Sequence, residues 1–253
     1  MRWGWPEMRY LILSDIHANI DAFETVLEHA AGAWDKVLVL GDLVGYGAEP
    51  NAVVDRVKEL SPEAVIRGNH DKAASGIDDG SQFNHVARVA AMWTGSQLTP
   101  ENLDYIRGLP MGPVQIDDLT EICHGTPFDE DHYVFDGDDA AMALRSASRP
   151  LCLFGHTHLP AEFKVIEGTL EGYALNPDRD VVIPLQRGGR YLINVGSIGQ
   201  PRDGDPRAGY GVLDDETREV HAFRVPYAVE KAQQRILAAG LPTSLANRLA
   251  LGR

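Results

Sequence analysis

Apolar and polar positions follow two alternating periods in the first half of the chain. Short apolar runs at 10–13, 36–40 and 64–66 have the length and β-branched character of buried strands. Between them, apolar residues recur every three or four positions over 19–31 and again over 50–60, as they do in amphipathic helices. The order strand, helix, strand, helix, strand predicts parallel βαβ units.

The pattern changes after about residue 111. Residues 82–109 predict two consecutive helices, the second beginning at Thr99-Pro100, a capping residue followed by a tolerated proline. Asp117-Asp118 predicts a tight hairpin, and 138–147 a short helix. Further strands are predicted from the runs at 150–154, 161–166, 180–185, 190–195, 209–214 and 219–225. The tail, 226–251, is predicted to be helical from Pro226, and Glu167–Arg190 is the segment most typical of a loop or insertion.

These elements predict an α/β (α+β) fold. Two mixed β-sheets packed face to face, with helices outside, would bury all of the apolar runs, which gives a four-layer αββα sandwich. A length of 253 residues is ample for one large domain, and we expect a single domain over 8–253. Met8 is a candidate natural start, so residues 1–7 are interpreted as an N-terminal extension.

Composition narrows the classes of function. There are 23 basic and 37 acidic residues, and the net charge of −14 disfavours long nucleic acids and anionic membrane surfaces as partners. No apolar run approaches the roughly 18–20 residues of a membrane span, and the first residues lack the layout of a signal peptide. Cys123 and Cys152 lie in or beside apolar runs and are interpreted as buried free thiols. We therefore expect a cytoplasmic protein.

Candidate metal ligands follow five of the predicted strands. They are Asp15 and His17, Asp42, Asn69, His124, and His156 with His158. Ligands in open α/β sheets bind just beyond the carboxyl ends of the strands, so these side chains are expected to meet in one place. Side chains at i and i+2 of an extended chain point the same way, which would let both members of each pair face the site. Glycines at 41, 68, 125 and 155 would permit sharp turns or close approach.

The donor types indicate which metals would bind. Imidazole, carboxylate and amide oxygen, without thiolate, suit Mn, Fe, Zn, Co or Ni better than an all-oxygen Mg or Ca cage. Seven ligands are too many for one tetrahedral ion and suit two ions about 3.5–4 Å apart that share a carboxylate. A lone Asp-x-His or Gly-Asp is usually a surface or turn feature, so only the whole set, in this order at strand ends, indicates a metal centre.

The same set resembles the calcineurin-like metallophosphoesterase superfamily, in particular its short bacterial and archaeal phosphodiesterases and phosphatases. The matching segments are Asp15-x-His17, Gly41-Asp42, Gly68-Asn69-His70-Asp71, His124 and Gly155-His156-x-His158, with "NVGSIGQPRDGDPR" near the end. The resemblance implies one divalent ion on Asp15, His17, Asp42 and His158, and a second on Asp42, Asn69, His124 and His156. Asp42 would bridge the ions, and Asn69 would also face the substrate.

The family implies hydrolysis of a small phosphomonoester or phosphodiester, with nucleotide-like substrates among the candidates. The motifs do not separate monoesterases from diesterases. The two ions would generate a hydroxide nucleophile and offset transition-state charge, and His70 would protonate the leaving group or stabilise charge on it. A protein-binding scaffold on the same fold is the alternative function, and the complete ligand set favours an enzyme.

The roles of four neighbouring residues stay open. Asp71 orients His70 or a nearby loop, and Asn19 caps a helix or supports the site. Tyr46 lines the pocket or packs in its loop, and Arg202 binds phosphate or is a surface charge.

Overall fold

The computed structural model describes residues 8–175 and 179–253. Within them the strands are β1 Arg9–Leu13, β2 Lys36–Val39, β3 Ala64–Val65, β4 Val114–Gln115, β5 Thr120–Ile122, β6 Leu151–Leu153, β7 Ala161–Ile166, β8 Thr169–Ala174, β9 Val181–Pro184, β10 Arg190–Asn194, β11 Ala208–Asp214 and β12 Glu219–Val225. The helices are α1 Ile20–His29, α2 Pro50–Glu59, α3 Asn69–Ser75, α4 His85–Gln97, α5 Pro100–Arg107, α6 Gly137–Ser146, α7 Val229–Ala238 and α8 Thr243–Leu249. The predicted extension, residues 1–7, lies outside the described residues.

The strands form two mixed six-stranded sheets. The first has the order β3-β2-β1-β11-β12-β9, and the second the order β4-β5-β6-β10-β7-β8. In the first sheet, β1 runs parallel to β2 and antiparallel to β11, so that Leu11 lies between Val37 and Val212. In the second, β6 lies parallel to both β5 and β10. Parallel strands place their carboxyl ends at one edge, which is where the candidate ligands follow in sequence.

Strand alternation divides the apolar residues between two interfaces. Along β1, Tyr10 and Ile12 join the cluster that contains Leu153 and Ile193 of the opposite sheet, whereas Leu11 and Leu13 pack with the helices of the outer face. The second sheet is covered on its outer face by α6. The predicted αββα sandwich of two facing mixed sheets is thereby confirmed. None of the described helices has both the length and the apolar character needed to cross a membrane.

Three local predictions were wrong. Glu167–Arg190 is not a loop, because it contains β8 in addition to β9, and only β9 was predicted, from the run at 180–185. β8 is a largely exposed edge strand and so lacks the apolar alternation that would reveal it. The tail is two helices rather than one, since Gly240 takes a φ of 71° and Pro242 stands at the start of α8. The segment after β3, read as a turn, is the beginning of α3.

Candidate metal centre

The seven predicted ligands meet at the carboxyl ends of β1, β2, β3, β5 and β6. Two groups of donor atoms lie close enough to hold an ion, and they share Asp42: one contains Asp15, His17, Asp42 and His158, the other Asp42, His124 and His156. Asn69 joins the second group, because its Oδ1 lies 3.3 Å from His124 Nε2. Every member except Asn69 is almost completely buried.

The local backbone differs from the extended chain expected from the sequence. Asp15, His17, Asp42, His156 and His158 all have positive φ, between 49° and 66°. Each non-glycine residue in this region costs on the order of 1 kcal/mol or more, and such residues persist where surrounding structure holds them. The i and i+2 side chains converge because tight left-handed turns follow the strands. The predicted convergence is therefore present, but it does not arise from extended chain as the sequence analysis expected.

Close backbone approach explains one of the glycines in the motifs. A Cβ on Gly68 would lie 2.1 Å from Asp42 Oδ1, an impossible contact. The amide of His70, two residues later, instead donates a hydrogen bond to that oxygen at 2.9 Å. The start of α3 therefore holds one carboxylate oxygen of Asp42 and leaves Oδ2 directed at the histidines.

Each of the four histidines in the two groups donates one ring N–H to a backbone carbonyl. The pairs are His17 Nδ1 with Val44 O at 3.1 Å, His124 Nδ1 with Leu40 O at 2.8 Å, His156 Nε2 with Asp131 O at 3.0 Å, and His158 Nδ1 with Gln200 O at 2.6 Å. A carbonyl only accepts, so these contacts fix the tautomers. Metal-binding histidines characteristically have this second contact, which leaves the other nitrogen as a lone pair aimed at the site.

The nitrogen and oxygen atoms that remain available to bind a metal face one another as hydrogen-bond acceptors. His17 Nε2 and His158 Nε2 lie 3.1 Å apart, and neither carries a proton if both Nδ1 atoms do. Asp42 Oδ2 is buried without a hydrogen-bond partner among the described residues, 3.5 Å from His17 Nε2 and 3.4 Å from His124 Nε2. Facing acceptors repel each other unless a cation lies between them, so these residues fit a metal site.

The electrostatics of the site agree with this arrangement. Burial lowers the pKa of His17, His156 and His158 well below the ordinary value, which keeps them neutral as metal ligation requires. Burial also opposes a charge on His124, but the carboxylates of Asp42 and Asp15 raise its pKa to about 10. Those carboxylates would attract a metal cation equally, and a cation would compete with that proton for Nε2.

His70 differs from the four histidines above. Its ring is buried, 4.9 Å from the His17 ring and 4.2 Å from the Tyr46 ring between centroids. Its Nδ1 has no hydrogen-bond partner among the described residues. Burial lowers the pKa of His70 to about 4. His70 thus lies beside the metal groups, and neither of its ring nitrogens forms a hydrogen bond with a backbone carbonyl of the described residues.

Asp71 orients the neighbouring loop, which was one of the two roles left open. Its carboxylate accepts hydrogen bonds from the amides of Gly68 at 2.9 Å, Val44 at 3.1 Å and Leu43 at 3.3 Å. It thereby ties the start of α3 to the loop that follows Asp42. Asn19 also proves to be a helix cap, accepting from Ala22 N at 3.2 Å, and its amide donates to Gly199 O.

Arg202 reaches the site from the loop after β10. Its guanidinium lies over the Tyr46 ring at 5.9 Å and contacts the Tyr46 hydroxyl at 3.4 Å, while its Nε is buried without a partner among the described residues. Arg207, five residues later, forms an ion pair with Asp205 at 2.6 Å. Tyr46 is buried against His17 and His70, so it packs beside the centre rather than merely within its own loop.

Sequence reasoning missed two residues near the site. Tyr133 stacks on His156 with ring centroids 3.8 Å apart. The guanidinium carbon of Arg248, in α8, lies 5.8 Å from the centroid of the Tyr46 ring. Neither follows a strand or belongs to a motif, so no periodic signal marked them. The remaining histidines, His29, His85, His132 and His221, lie outside both metal groups, and the two cysteines are buried and free, as predicted.

Comparison with known proteins places these residues in a family. The sequence profile of the calcineurin-like phosphoesterase superfamily domain matches residues 8–218. A protein of Methanocaldococcus jannaschii, MJ0912, is 32% identical over 245 residues, which cover 96% of this chain and 97% of that protein. The phosphodiesterase YfcE of Escherichia coli K12 is 25% identical over 228 residues, 85% of this chain and 92% of that enzyme.

Solved structures show the same fold. The metallophosphoesterase from Sphaerobacter thermophilus aligns with a TM-score of 0.85 and 39% identity, covering 98% of this chain and 100% of the other. Protein PH1004 from Pyrococcus horikoshii OT3 aligns with a TM-score of 0.78 and 20% identity, covering 97% and 98%, and supports the fold alone. The profile match over most of the chain, with the buried Asp/His groups in one place, shows that this protein belongs to the calcineurin-like phosphoesterase superfamily and is a metal-dependent phosphoesterase.

Proposed function

We propose that the protein hydrolyses a small phosphomonoester or phosphodiester with two divalent transition-metal ions. One ion is assigned to Asp15, His17, Asp42 and His158, and the other to Asp42, Asn69, His124 and His156. The observation that carries the proposal is the shared carboxylate: Asp42 Oδ2 lies unpaired between His17 and His124, one from each group. Nitrogen and oxygen donors without thiolate favour Mn, Fe, Zn, Co or Ni.

When bound, the ions would supply Lewis acidity that lowers the pKa of a water molecule and offsets the charge of the phosphate. The residues of the chain position this chemistry. The carbonyl contacts of the four histidines fix their rings, and the His70 amide fixes the carboxylate of Asp42. Burial of the centre excludes bulk solvent and strengthens these electrostatic interactions.

His70 is assigned to the leaving group. It lies beside His17, and no carbonyl contact commits its ring nitrogens as ligation would require. From this position a ring N–H can donate a proton or a hydrogen bond to the departing ester oxygen. Asn69, at the edge of the second group and only partly buried, can hydrogen-bond the phosphate as well as ligate.

Arg202 is assigned to the substrate phosphate. Its planar guanidinium can hold two phosphate oxygens, and its Nε has an unused donor among the described residues. A local cation would also counter the repulsion that an anionic substrate meets in a chain of net charge −14. Arg207, already paired with Asp205, is assigned no role in binding.

The test is metal analysis combined with hydrolysis. Protein loaded separately with Mn, Fe, Co, Ni and Zn is assayed against p-nitrophenyl phosphate, bis(p-nitrophenyl) phosphate and a nucleotide panel. We expect near two equivalents of metal and metal-stimulated release of p-nitrophenolate. Protein that holds one equivalent and is fully active would overturn the two-ion proposal, and protein without metal-stimulated hydrolysis would favour the non-catalytic scaffold.

A further inference from the structure

An aromatic ladder leads from the metal centre to the surface. It consists of His156, Tyr133 and Phe135. The rings of Tyr133 and His156 stack at 3.8 Å, and those of Phe135 and Tyr133 stack at 5.2 Å with only 5° between their planes. Exposure increases along the ladder, from buried His156 to 38% for Tyr133 and 64% for Phe135. Its outermost member is thus a phenyl ring that presents most of its surface to solvent.

The ladder opens onto a cavity of about 610 Å³ between the loop 134–137 and the β7-β8 hairpin. Its wall is largely apolar and includes Phe135, Leu159, Pro160, Phe163 and Leu170. Leu159 directly follows the candidate ligand His158, and the lining residue Asp203 directly follows Arg202. None of the candidate ligands lines the cavity, but Phe135 in its wall stacks on Tyr133, and Tyr133 stacks on His156. A group attached to a phosphate at the centre can therefore extend along these rings toward the cavity.

The loop that carries the ladder is fixed. Lys72 of α3 forms ion pairs with Glu130 at 3.1 Å and Asp131 at 2.5 Å, and the Asp131 carbonyl accepts from His156. Such a preorganised, exposed aromatic surface beside a hydrolytic centre is costly in water unless a ligand covers it.

We infer that the ladder and its cavity bind a flat aromatic ester group, aryl or nucleoside, of a phosphodiester substrate. The inference rests on the proposed function and chooses the diester, since a monoester has no second group to place there. His70 lies beside His17 of one metal group, whereas the ladder begins at His156 of the other. The leaving group belongs with His70, so the ladder receives the ester group that stays on the phosphate.

A polar anchor in the cavity suits the same ligand. Asp203 forms an ion pair with Arg224, but its Oδ1 is buried and has no partner among the described residues. A carboxylate oxygen accepts N–H and O–H donors, which the base and sugar of a nucleoside supply and a plain phenyl ring does not. Stacking alone serves either aromatic group, and this oxygen adds a reason to prefer a nucleoside.

The test varies only the retained ester group. p-Nitrophenyl diesters of methyl, cyclohexyl, phenyl and thymidine 5′ groups share one leaving group, so differences in kcat/KM report on the retained group. We expect the phenyl ester to exceed the cyclohexyl ester by about 5-fold or more because stacking needs a flat π-face. A further gain for thymidine assigns the cavity to a nucleoside, and no further gain restricts the stacked group to simple aryl; both support stacking.

Phe135→Ala is the matching variant, and its ring is exposed enough that folding should not depend on it. It should lower kcat/KM about 10-fold for the phenyl and thymidine esters and less than 2-fold for the methyl ester. Phe128→Ala is the control, since Phe128 lies in the same loop, is 46% exposed and does not line the cavity. Equal losses on all esters, or equal rates for phenyl and cyclohexyl, would overturn the inference while leaving the phosphoesterase intact; no hydrolysis of any ester by wild type would overturn both.

Discussion

Replacing Arg202 by alanine tests how the substrate phosphate is held. The side chain lies over Tyr46, beside the metal groups, with a buried Nε that has no partner among the described residues. It makes few contacts that support the fold: two long hydrogen bonds, at 3.4 Å to Tyr46 and 3.3 Å to Gln200, and the ring contact. The truncation should therefore change substrate binding more than stability.

The magnitude follows from those contacts. A hydrogen bond between charged groups contributes about 1.5–3 kcal/mol, which corresponds to about a 10–100-fold loss in kcat/KM. Loss of the cation above Tyr46 should lower the free energy of unfolding by only about 0.5–1 kcal/mol. We expect most of the kinetic loss as an increase in KM, because the proposed contact of the guanidinium with phosphate oxygens would form in both the ground state and the transition state.

The assay is steady-state hydrolysis of a p-nitrophenyl ester by metal-loaded protein, with metal content measured on the same sample. Arg207→Ala is the matched control, since it removes the same charge from the same loop at a residue paired with Asp205. Arg202→Lys should recover part of the loss, because an ammonium keeps the charge without the planar fork.

Three results would refute the reasoning. Kinetics of Arg202→Ala that match wild type on every substrate would return Arg202 to the role of a loop charge. Equal losses for Arg202→Ala and Arg207→Ala would show that only the overall field matters. A loss of metal in Arg202→Ala would place the effect on the centre instead of on the phosphate.

Three further substitutions separate the roles assigned to the centre. His70→Ala should retain its metal and lose about 10²–10⁴-fold in kcat, with a smaller loss for good leaving groups such as p-nitrophenolate; loss of metal by elemental analysis would instead make His70 a ligand. Asp42→Asn should lower the metal content of both groups, because it removes the negative charge that they share, and selective loss of one equivalent would contradict the bridge. Gly68→Ala should also lower metal content, since its Cβ would lie 2.1 Å from Asp42 Oδ1; isothermal titration with Mn²⁺ would measure this, and unchanged affinity would show that the loop adapts.

The sequence was sufficient to predict where the ligands meet. Runs such as "YLIL" and "LCLF" are apolar enough to be strands buried on both faces, and the polar residues that follow them must lie at their ends. The sandwich follows from the same runs. Local backbone form was not predictable, because the turns after β1, β2 and β6 hold Asp15, Asp42 and His156 at positive φ against their own preference. Tertiary contacts impose that conformation, and no short-range pattern records them.

The surroundings of the centre were the least predictable part. Tyr133 and Phe135 lie in a loop, and their place beside His156 depends on ion pairs between that loop and α3. The sequence did not reveal the edge strand β8, because an exposed strand need not alternate apolar and polar residues. The sequence did not reveal that α3 begins at Asn69, because Gly-Asn is common in turns. The helix terminus is stabilised by tertiary and local hydrogen bonds: the Gly68 amide donates to Asp71, and the His70 amide donates to Asp42.

The pairing of β1 with β11 bears on how the protein is synthesised. β1 is synthesised shortly before β2 but long before β11, so its other edge stays open until β11 follows. At about 5–20 residues per second, that interval is roughly 10–40 s. During it, a largely apolar strand has an unpaired edge, which is a site for mispairing and aggregation. Each metal group contains a histidine that follows β6, His158 in one and His156 in the other, so neither group can assemble before that part of the chain has been made.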